Sequence, residues 1–575
     1  MNLLDRVISY INPVASEKRE AARVRSVALV AAGIELARLD TKLPNIVNSG
    51  YDESGASYQK KSLRGWRANS KSPQSDIDAN LSTLRNRSRA LYMGSPLAAA
   101  AVKDRKNKIV GPGLRLKCKI DFDFLGITRE AAHAWEKNTE RLFDFYASSV
   151  FCDVLRLNNF YEMQPIACGG WLINGDSFGL LKYEDPAPWF PWGLRLQLIE
   201  SDRVSTPYLD PQVHAYQSSA LSTIGKNTIN GNDIYNGVEI DKNTGAVVAY
   251  WVCNMYPNDN FRGTMLKWNR VEAFGAVTGM KNVLQIMDPE RCEQYRGVPF
   301  LAPVIEELKQ ITRYSDAELS KAIIHTYLSV FVKTELPTNE NPFGGVTQQE
   351  EYIPPAPGDF ELGPGTFNIL NPNESIELAE AKSPSNGFES FVLTMAKIIG
   401  AALETPYEVF LKCFNSSYSA SRAALLEMWE VIHAKRSFFV DDLPQPFFEV
   451  WLTESVARGI IQAPGFFNDP FIKAAWCKAE WLGPVQGQLD CVKEAKGAEM
   501  RVNNGFSTRS REATEINGTN FDENVEQLRL ENEVLNRANG ITPVQDIAPP
   551  DPIETDMNDL VQNRMRAFNK LAGGF

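Results

Sequence analysis

Two long helical segments bracket a proline-rich stretch in the middle of the chain, and this arrangement most constrains the fold. Between residues 302 and 332, apolar residues recur with helical spacing, at Val304, Leu308, Ile311, Leu319, Ala322, Thr326 and Val330. A helix of this length would extend about 45 Å. Such a helix is unusual within a compact domain and typical of a pillar. Residues 334–386 predict loops and short strands, and helices resume at 387–403 and 419–437.

The rest of the chain predicts an α+β, mainly helical fold. Thr128 begins a helix at 128–147 as its N-cap, and 165–275 is β-rich, with period-two alternation from Leu194 to Leu198. The segments Val238–Asp241 and Ala246–Val252 predict two strands joined by a turn. The remaining predictions are helices at 1–45, 76–108, 506–516 and 522–538, an extended arm at 46–80, and an extended tail after 540.

Length and charge limit the possible functions. A chain of 575 residues is too long for one core, so several domains are expected. The net charge of −11 argues against a general duplex-binding protein, because phosphate neutralisation requires a surplus of Lys and Arg. Residues 60–117 nevertheless carry a strong local positive charge. Two interpretations stay open: contact with DNA, or a solvated helix face that pairs with acidic neighbours, which we favour.

Cysteine usage and hydropathy predict a protein that stays inside the cell or is assembled into a particle there. The eight cysteines are scattered without a CxxC pair, which is typical of reduced thiols. The amino terminus has no long apolar run of the signal-peptide type. The longest apolar run, Val27–Ile34, is too short to cross a bilayer.

One motif raises the possibility of an enzyme. Gly175–Gly179 matches G-x-S-x-G, and a cytosolic serine hydrolase using Ser177 is the alternative function. We favour a hairpin at Asn174-Gly175 instead, because a proline-broken strand and not a helix follows Gly179. No phosphate-binding loop occurs, and no His pair has metal-ligand spacing. The sequence therefore predicts no enzyme, no metal and no cofactor.

Several segments, taken in order, resemble the lambda-like branch of the phage portal proteins from about residue 50 to 540. They include 55–56, Trp66, 84–89, 107–114, 175–178, 198–203, 237–241, 250–251, 296–299, 406–408 and 417–427. In one departure, this chain has Ser417-Tyr418-Ser419-Ala420 where the family often has Asn-Tyr-Ser-Ser. The resemblance implies a structural protein, and it lowers the hydrolase alternative because Ser177 falls within the portal pattern.

The resemblance implies a ring, usually dodecameric, at one capsid vertex, with a wing, a stem, a clip and a crown. The ring would carry double-stranded DNA during packaging and ejection. Its expected partners are the terminase large subunit, the major capsid and scaffolding proteins, and the head–tail connector proteins, without a membrane. It would lie in the virion, and in the host cytoplasm during assembly. A shorter head–tail adaptor is a further alternative, which the length of the chain disfavours.

The same resemblance implies a division of the chain. It assigns an N-terminal helical arm (1–50), a mixed α/β wing (51–300), a stem helix (301–333), the clip (334–386), a second stem helix (387–404), a tunnel-loop region (405–418), a long helix and wing (419–499), crown-side helices (500–540) and a C-terminal tail (541–575). Lys412, Asn415 and Ser416 are the candidate DNA-facing residues of the tunnel loop. Tyr418, Ser419 and Arg422 are motif residues without an assigned role.

Overall fold

The fold is described from a computed structural model of the chain. The described residues are 14, 17–28, 30, 60–66, 68–216, 223–259, 265–326, 330–334, 374–378, 387–414, 417–487 and 491–538. The chain divides into two units, Met1–Lys71 and Ser72–Phe575. In the first unit, residues 17–28 form an exposed helix.

Helices and strands are mixed along the second unit, and 54% of the residues that the structure describes are helical. The helices are α1 Ala79–Gly94, α2 Pro96–Ile109, α3 Phe122–Leu125, α4 Arg129–Ala147, α5 Phe160–Asn174, α6 Ile305–Thr326, α7 Phe388–Ala402, α8 Tyr407–Leu411, α9 Tyr418–Asp442, α10 Pro444–Ala457, α11 Pro470–Trp476, α12 Cys491–Asn503, α13 Arg509–Asn517 and α14 Phe521–Ala538. The predicted mixed, mainly helical class is confirmed.

The strands form four sheets in the described part of the chain. They are β1 Arg115–Cys118, β2 Asp176–Tyr183, β3 Leu194–Ile199, β4 Val213–Ala215, β5 Ile224–Asn227, β6 Asp233–Tyr235, β7 Val238–Ile240, β8 Val247–Cys253, β9 Trp268–Glu272, β10 Val283–Met287, β11 Val330–Thr334, β12 Glu374–Leu378 and β13 Ala479–Leu482. Strands β4 to β9 make an antiparallel meander, β10-β2-β3 a three-stranded sheet, and β1-β13 and β11-β12 two pairs. The predicted strands at 194–198, 238–241 and 246–252 are confirmed.

The core of this unit is an aromatic cluster between α4, α5 and α10. Phe143 of α4 meets Trp451 of α10 edge-on, with 5.0 Å between ring centroids. Phe160 of α5 stacks on Phe447 of α10 at 4.5 Å. Each such pair adds about 0.5–1.5 kcal/mol beyond the area that it buries. The predicted helix with Thr128 as N-cap supplies Phe143 to this cluster, and the Thr128 hydroxyl accepts from the amide of Ala131.

The expected hairpin at Asn174-Gly175 is wrong, because α5 runs to Asn174 and β2 begins at Asp176. Asn159 and Glu162 form a capping box that starts α5, and the helix continues into the stretch expected to be β-rich. Most of its residues are buried, so the apolar pattern lacks the one-sided periodicity that identifies a surface helix. Gly175 ends the helix with φ +92°, a conformation that favours glycine.

The predicted helix at 302–332 is shorter than expected. After a 3₁₀ turn at Ala302–Val304, α6 ends at Thr326, and 330–334 is a strand paired with 374–378. The helix is therefore about 33 Å long. The Val-Phe-Val run of β11 favours a strand once a partner strand is present. Val304, Leu308 and Ile311 are buried, whereas Leu319 and Ile323 are 62% and 49% exposed.

Helix α7 packs against α6. The ring of Tyr314 stacks on Phe388 at 5.4 Å and meets Phe391 at 4.7 Å between centroids. The helices predicted at 387–403 and 419–437 are confirmed as α7 and α9. Those predicted at 506–516 and 522–538 are confirmed as α13 and α14, each within three residues at either end.

Candidate functional site

Four charged residues form a buried ion cluster beneath the meander: Asp78, Arg85, Asp176 and Arg296. All four are at most 4% exposed. The Asp176 carboxylate accepts from Arg296 through Nε at 2.6 Å and Nη2 at 3.2 Å, and from Arg85 Nη2 at 2.9 Å. The two guanidinium groups thus share one carboxylate, and Asp202 at the rim contacts Arg85 at 3.7 Å.

A contact between two glycine backbones positions Asp176 and Arg296. A Cβ on Gly297 would lie 1.8 Å from the Gly175 carbonyl oxygen, and a Cβ on Gly175 would lie 2.3 Å from that of Gly297. No side chain fits at either position. The residues that flank these glycines, Asp176 and Arg296, are therefore held opposite each other.

Arg296 also satisfies backbone carbonyls of the loops around the meander. Its Nη1 donates to Val204 at 2.7 Å and to Asn236, and its Nη2 donates to Ser201 at 2.9 Å. The Ser201 hydroxyl donates in turn to the Asp176 carbonyl. The cluster consequently ties the start of β2 and the meander to the segment that enters α6.

The charges of the cluster set the protonation of its members. Burial alone would raise the pKa of Asp176, but Arg296 and Arg85 outweigh it and hold that pKa below the usual range. Burial raises the pKa of Asp78 to about 6 and lowers the pKa of Arg85 to about 10. At pH 7 the two arginines are therefore still paired with a charged Asp176.

A second buried carboxylate, Glu239 of β7, organises the meander. It accepts from Arg270 Nε at 2.9 Å and from the Trp251 indole at 3.0 Å. Three asparagine amides complete its shell: Asn227 at 3.2 Å, Asn230 at 2.6 Å and Asn232 at 3.1 Å. Burial opposes ionisation, but these donors outweigh it and lower the pKa of Glu239 to about 2.

The G-x-S-x-G segment does not have the geometry of a hydrolase elbow. The elbow joins a strand to a following helix, whereas Gly175 joins helix α5 to strand β2. Ser177 is 5% exposed, and its hydroxyl oxygen would lie 3.0 Å from a Cβ on Gly170. Gly175 and Asp176 instead serve the buried ion cluster.

The segment that contains the candidate tunnel loop begins with a tightly closed helix end. Lys412 follows α8 in the left-handed conformation, φ +55° and ψ +35°. Its amide donates to Val409, and the Cys413 amide donates to Glu408 at 2.9 Å. These two bonds form a Schellman motif, in which glycine is the usual residue at the position of Lys412. The lysine is exposed beyond this turn.

The motif residues after the loop connect it to the rest of the unit. Ser421 donates from its hydroxyl to the buried Glu408 carboxylate at 3.2 Å, which links α9 to α8. Arg422 of α9 pairs with Glu494 of α12 at 3.3 Å. Ser419 is exposed in the first turn of α9, which begins at Tyr418. Asn415 and Ser416 lie outside the described residues.

The favoured interpretation of the basic segment as a solvated face is wrong for its central arginines. Arg85 and Arg105 are buried, and Arg105 donates to the Leu403 carbonyl at 2.6 Å, where α7 ends. Pairing with acidic neighbours is confirmed, since Arg105 lies 3.5 Å from Glu404. These charges therefore connect elements within the chain.

Two properties of the described residues bear on other classes of function. None of the helices in the described ranges is long and apolar enough to span a membrane. Within those ranges, no group of three or more His, Cys, Asp or Glu side chains has metal-binding geometry.

The family comparison covers both the buried ion cluster and the segment around Lys412. Residues 59–436 match the family described as phage portal protein, lambda family. The chain belongs to this family. It is a structural family and not a known enzyme family. The match includes the buried ion cluster, α6, α7 and the segment around Lys412.

Individual portal proteins are similar over most of the chain. The portal protein of Escherichia phage N15 is 24% identical over 516 residues, which is 86% of this chain and 92% of that protein. Portal protein B of Escherichia phage lambda is also 24% identical, over 86% of this chain and 91% of that protein. A chain from the neck of a native GTA particle, computed with C12 symmetry, is 13% identical with a TM-score of 0.39, over 76% of this chain and 92% of that chain.

The segments that carry the resemblance meet at the buried ion cluster, which sequence reasoning did not anticipate. Arg85, Asp176, Ser201 and Arg296 come from four such segments. Asp176 and Arg296 each stand beside a glycine, Gly175 and Gly297. That repeated pairing of a charge with a glycine was the available signal.

Proposed function

We propose that the chain forms the ring-shaped channel at one capsid vertex through which double-stranded DNA is packaged and ejected. The observation that carries this proposal is the family match over residues 59–436. The proposed ring is dodecameric and lies in the virion after assembly in the host cytoplasm. It docks the terminase large subunit, then the head–tail connector proteins, and contacts the major capsid and scaffolding proteins.

The helix pair α6–α7 supports a role as the stem. Leu319 and Ile323 of α6, and Ile398 of α7, are between 49% and 62% exposed although they are apolar. An exposed apolar face marks an interaction surface, and in a closed ring each subunit covers a different face of the next. In this proposal 301–333 and 387–404 form the stem and 334–386 the clip, which contains β12, whereas its partner β11 lies at the end of the stem segment.

The other divisions follow the same proposal. Residues 51–300 and 419–499 form the wing, stabilised by the buried ion cluster and the aromatic core, and 500–540 face the crown. The segment 405–418 lies at the channel, where Lys412, Asn415 and Ser416 face DNA. Few cations are needed there, because strong phosphate contacts would hinder a sliding duplex.

Particle mass and symmetry test the proposal. Twelve copies of the 64.3 kDa chain give a ring of about 770 kDa. We expect this mass by native mass spectrometry, a closed ring by negative-stain microscopy, and no ATPase activity. A stable monomer at micromolar concentration would contradict the proposal.

A matched pair of variants separates ring assembly from folding. Leu319→Asp places a charge on the exposed apolar face of α6, whereas Ala317→Asp places the same charge two residues away, on the other side of the helix. We expect Leu319→Asp to yield folded monomers and Ala317→Asp to yield rings. Equal assembly of both variants would argue against this face as the subunit contact.

A further inference from the structure

Helix α14 has an apolar face that the described residues leave uncovered. It is 18 residues long, and none of its residues is buried. Val525, Leu528 and Leu535 are 46%, 55% and 57% exposed. Their spacing of three and seven residues aligns them on one side of the helix, together with Phe521. We call these four residues the α14 stripe.

A different side of α14 faces the rest of the unit. Asp522, Glu523 and Glu526 line a cleft of about 940 Å³ whose opposite wall includes Lys137 and Glu140 of α4. In its first turns the helix thus places acidic residues toward its own unit, on a side that the α14 stripe does not share. A short helix in water gains most of its stability from packing an apolar face. The α14 stripe therefore requires a covering segment.

The carboxyl-terminal sequence has the pattern of such a segment. Apolar residues recur at spacings of three and four, at Met557, Val561, Met565, Phe568 and Ala572. This pattern predicts an amphipathic helix over 557–572, a segment outside the described residues. Its net charge is +2, from three basic residues and one acidic residue, whereas α14 carries −3, from five acidic and two basic residues. The two segments are complementary in charge.

The connection between them is long enough. Residues 539–556 number 18 and include four prolines. An extended chain of this length reaches about 60 Å, more than twice the ~27 Å length of α14. The segment 557–572 is therefore able to return along α14 in either direction.

We propose that residues 557–572 bind along the α14 stripe of the same chain. The stripe offers three half-exposed aliphatic side chains and Phe521. The apolar area that these four side chains offer is far smaller than the ~800 Å² per partner of a stable interface between separate proteins. A tethered segment has an effective concentration in the millimolar range, so a small contact suffices. The proposal does not depend on the proposed function.

Hydrogen exchange of α14 in the full-length protein tests the contact. Phe568→Asp puts a charge into the apolar face of 557–572, and Asn563→Asp puts the same charge on its opposite face. We expect the amides of 521–538 to exchange about tenfold faster in Phe568→Asp than in the wild type, and to be unchanged in Asn563→Asp. In the reciprocal variant, Leu528→Asp, we expect faster exchange in 557–572.

Each other outcome would overturn the proposal. If α14 exchanges equally fast in the wild type and in Phe568→Asp, residues 557–572 do not cover the stripe. If α14 stays protected in Phe568→Asp but loses protection when subunits dissociate, a second copy of the chain covers it instead. If Asn563→Asp matches Phe568→Asp, added charge and not the apolar contact accounts for the change.

Discussion

Removing Arg296 should destabilise the second unit more than any other single arginine substitution that we consider. Arg296 is 1% exposed, and Arg296→Met keeps much of the side-chain volume while it deletes the guanidinium group. Asp176 would keep Arg85 at 2.9 Å and the Gly297 amide at 3.2 Å. The carbonyls of Val204, Asn236 and Ser201 would lose the donor that Arg296 supplies.

The expected loss is about 4 kcal/mol in the free energy of unfolding. Breaking a buried ion pair by removing one partner costs roughly 3–5 kcal/mol, and each buried carbonyl without a donor costs about 1 kcal/mol or more. Asp176 keeps the donors Arg85 and Gly297, which offsets the cost of the carbonyls, so the total stays near the middle of the range of roughly 3–5 kcal/mol. Because folded domains are stable by only about 5–15 kcal/mol, this loss should be easily measured.

Urea denaturation followed by tryptophan fluorescence measures the effect, because Trp192, Trp251 and Trp451 are buried in this unit. The control is Arg115→Met, which removes an exposed pair with Asp144 at 2.7 Å, 61% and 51% exposed. The free energy of unfolding of Arg115→Met should be lower than that of the wild type by at most about 1 kcal/mol. If the urea midpoints of the two variants shift equally, the buried ion cluster does not stabilise the unit as we argue.

Three further predictions concern separate parts of the chain. Lys412→Gly should raise the free energy of unfolding by up to about 1 kcal/mol, because glycine adopts the left-handed conformation without strain; an unchanged or lower urea midpoint would contradict the Schellman geometry. Folding lowers the pKa of Glu239, so this carboxylate contributes about 3 kcal/mol to the free energy of unfolding above about pH 4.5, and the contribution is lost as pH falls toward 2. Glu239→Gln should remove this pH-dependent contribution. Urea titrations that show the same pH dependence below neutrality for both proteins would refute this. Lys412→Glu should lower the yield of packaged DNA in a reconstituted packaging reaction, while ring assembly, followed by microscopy, stays unchanged. Normal packaging by this variant would contradict the proposed position of Lys412 at the channel.

The helices that the sequence predicts well are those with one apolar side and a local start signal. Helix α4 begins after Thr128 as expected, because the cap and the periodicity lie in adjacent residues. Helix α5 was missed because it is buried on most sides, so its sequence lacks the alternation between apolar and polar faces. Strand β11 was assigned to the preceding helix because its partner, Glu374–Leu378, is about forty residues away.

The buried ion cluster shows a different limit of prediction from sequence. Arg85 and Arg296 lie 91 and 120 residues from Asp176 along the chain. Local pattern carries no information on such a contact, and the helix face containing Arg85 was therefore interpreted as solvated. The candidate residues near the loop were easier to place, since Lys412 and Arg422 are close in sequence to the helices that position them.

The sealing of the buried ion cluster from solvent has a consequence under the proposed function, in which the ring carries a polyanion. Counterions that accompany packed nucleic acid shorten the range of electrostatic attraction at exposed pairs such as Arg115–Asp144, to roughly 3 Å at molar salt. Ions do not enter between Arg296 and Asp176, whose side chains are 0% exposed. The joint between the meander and α6 therefore keeps its strength both in dilute buffer and at molar salt.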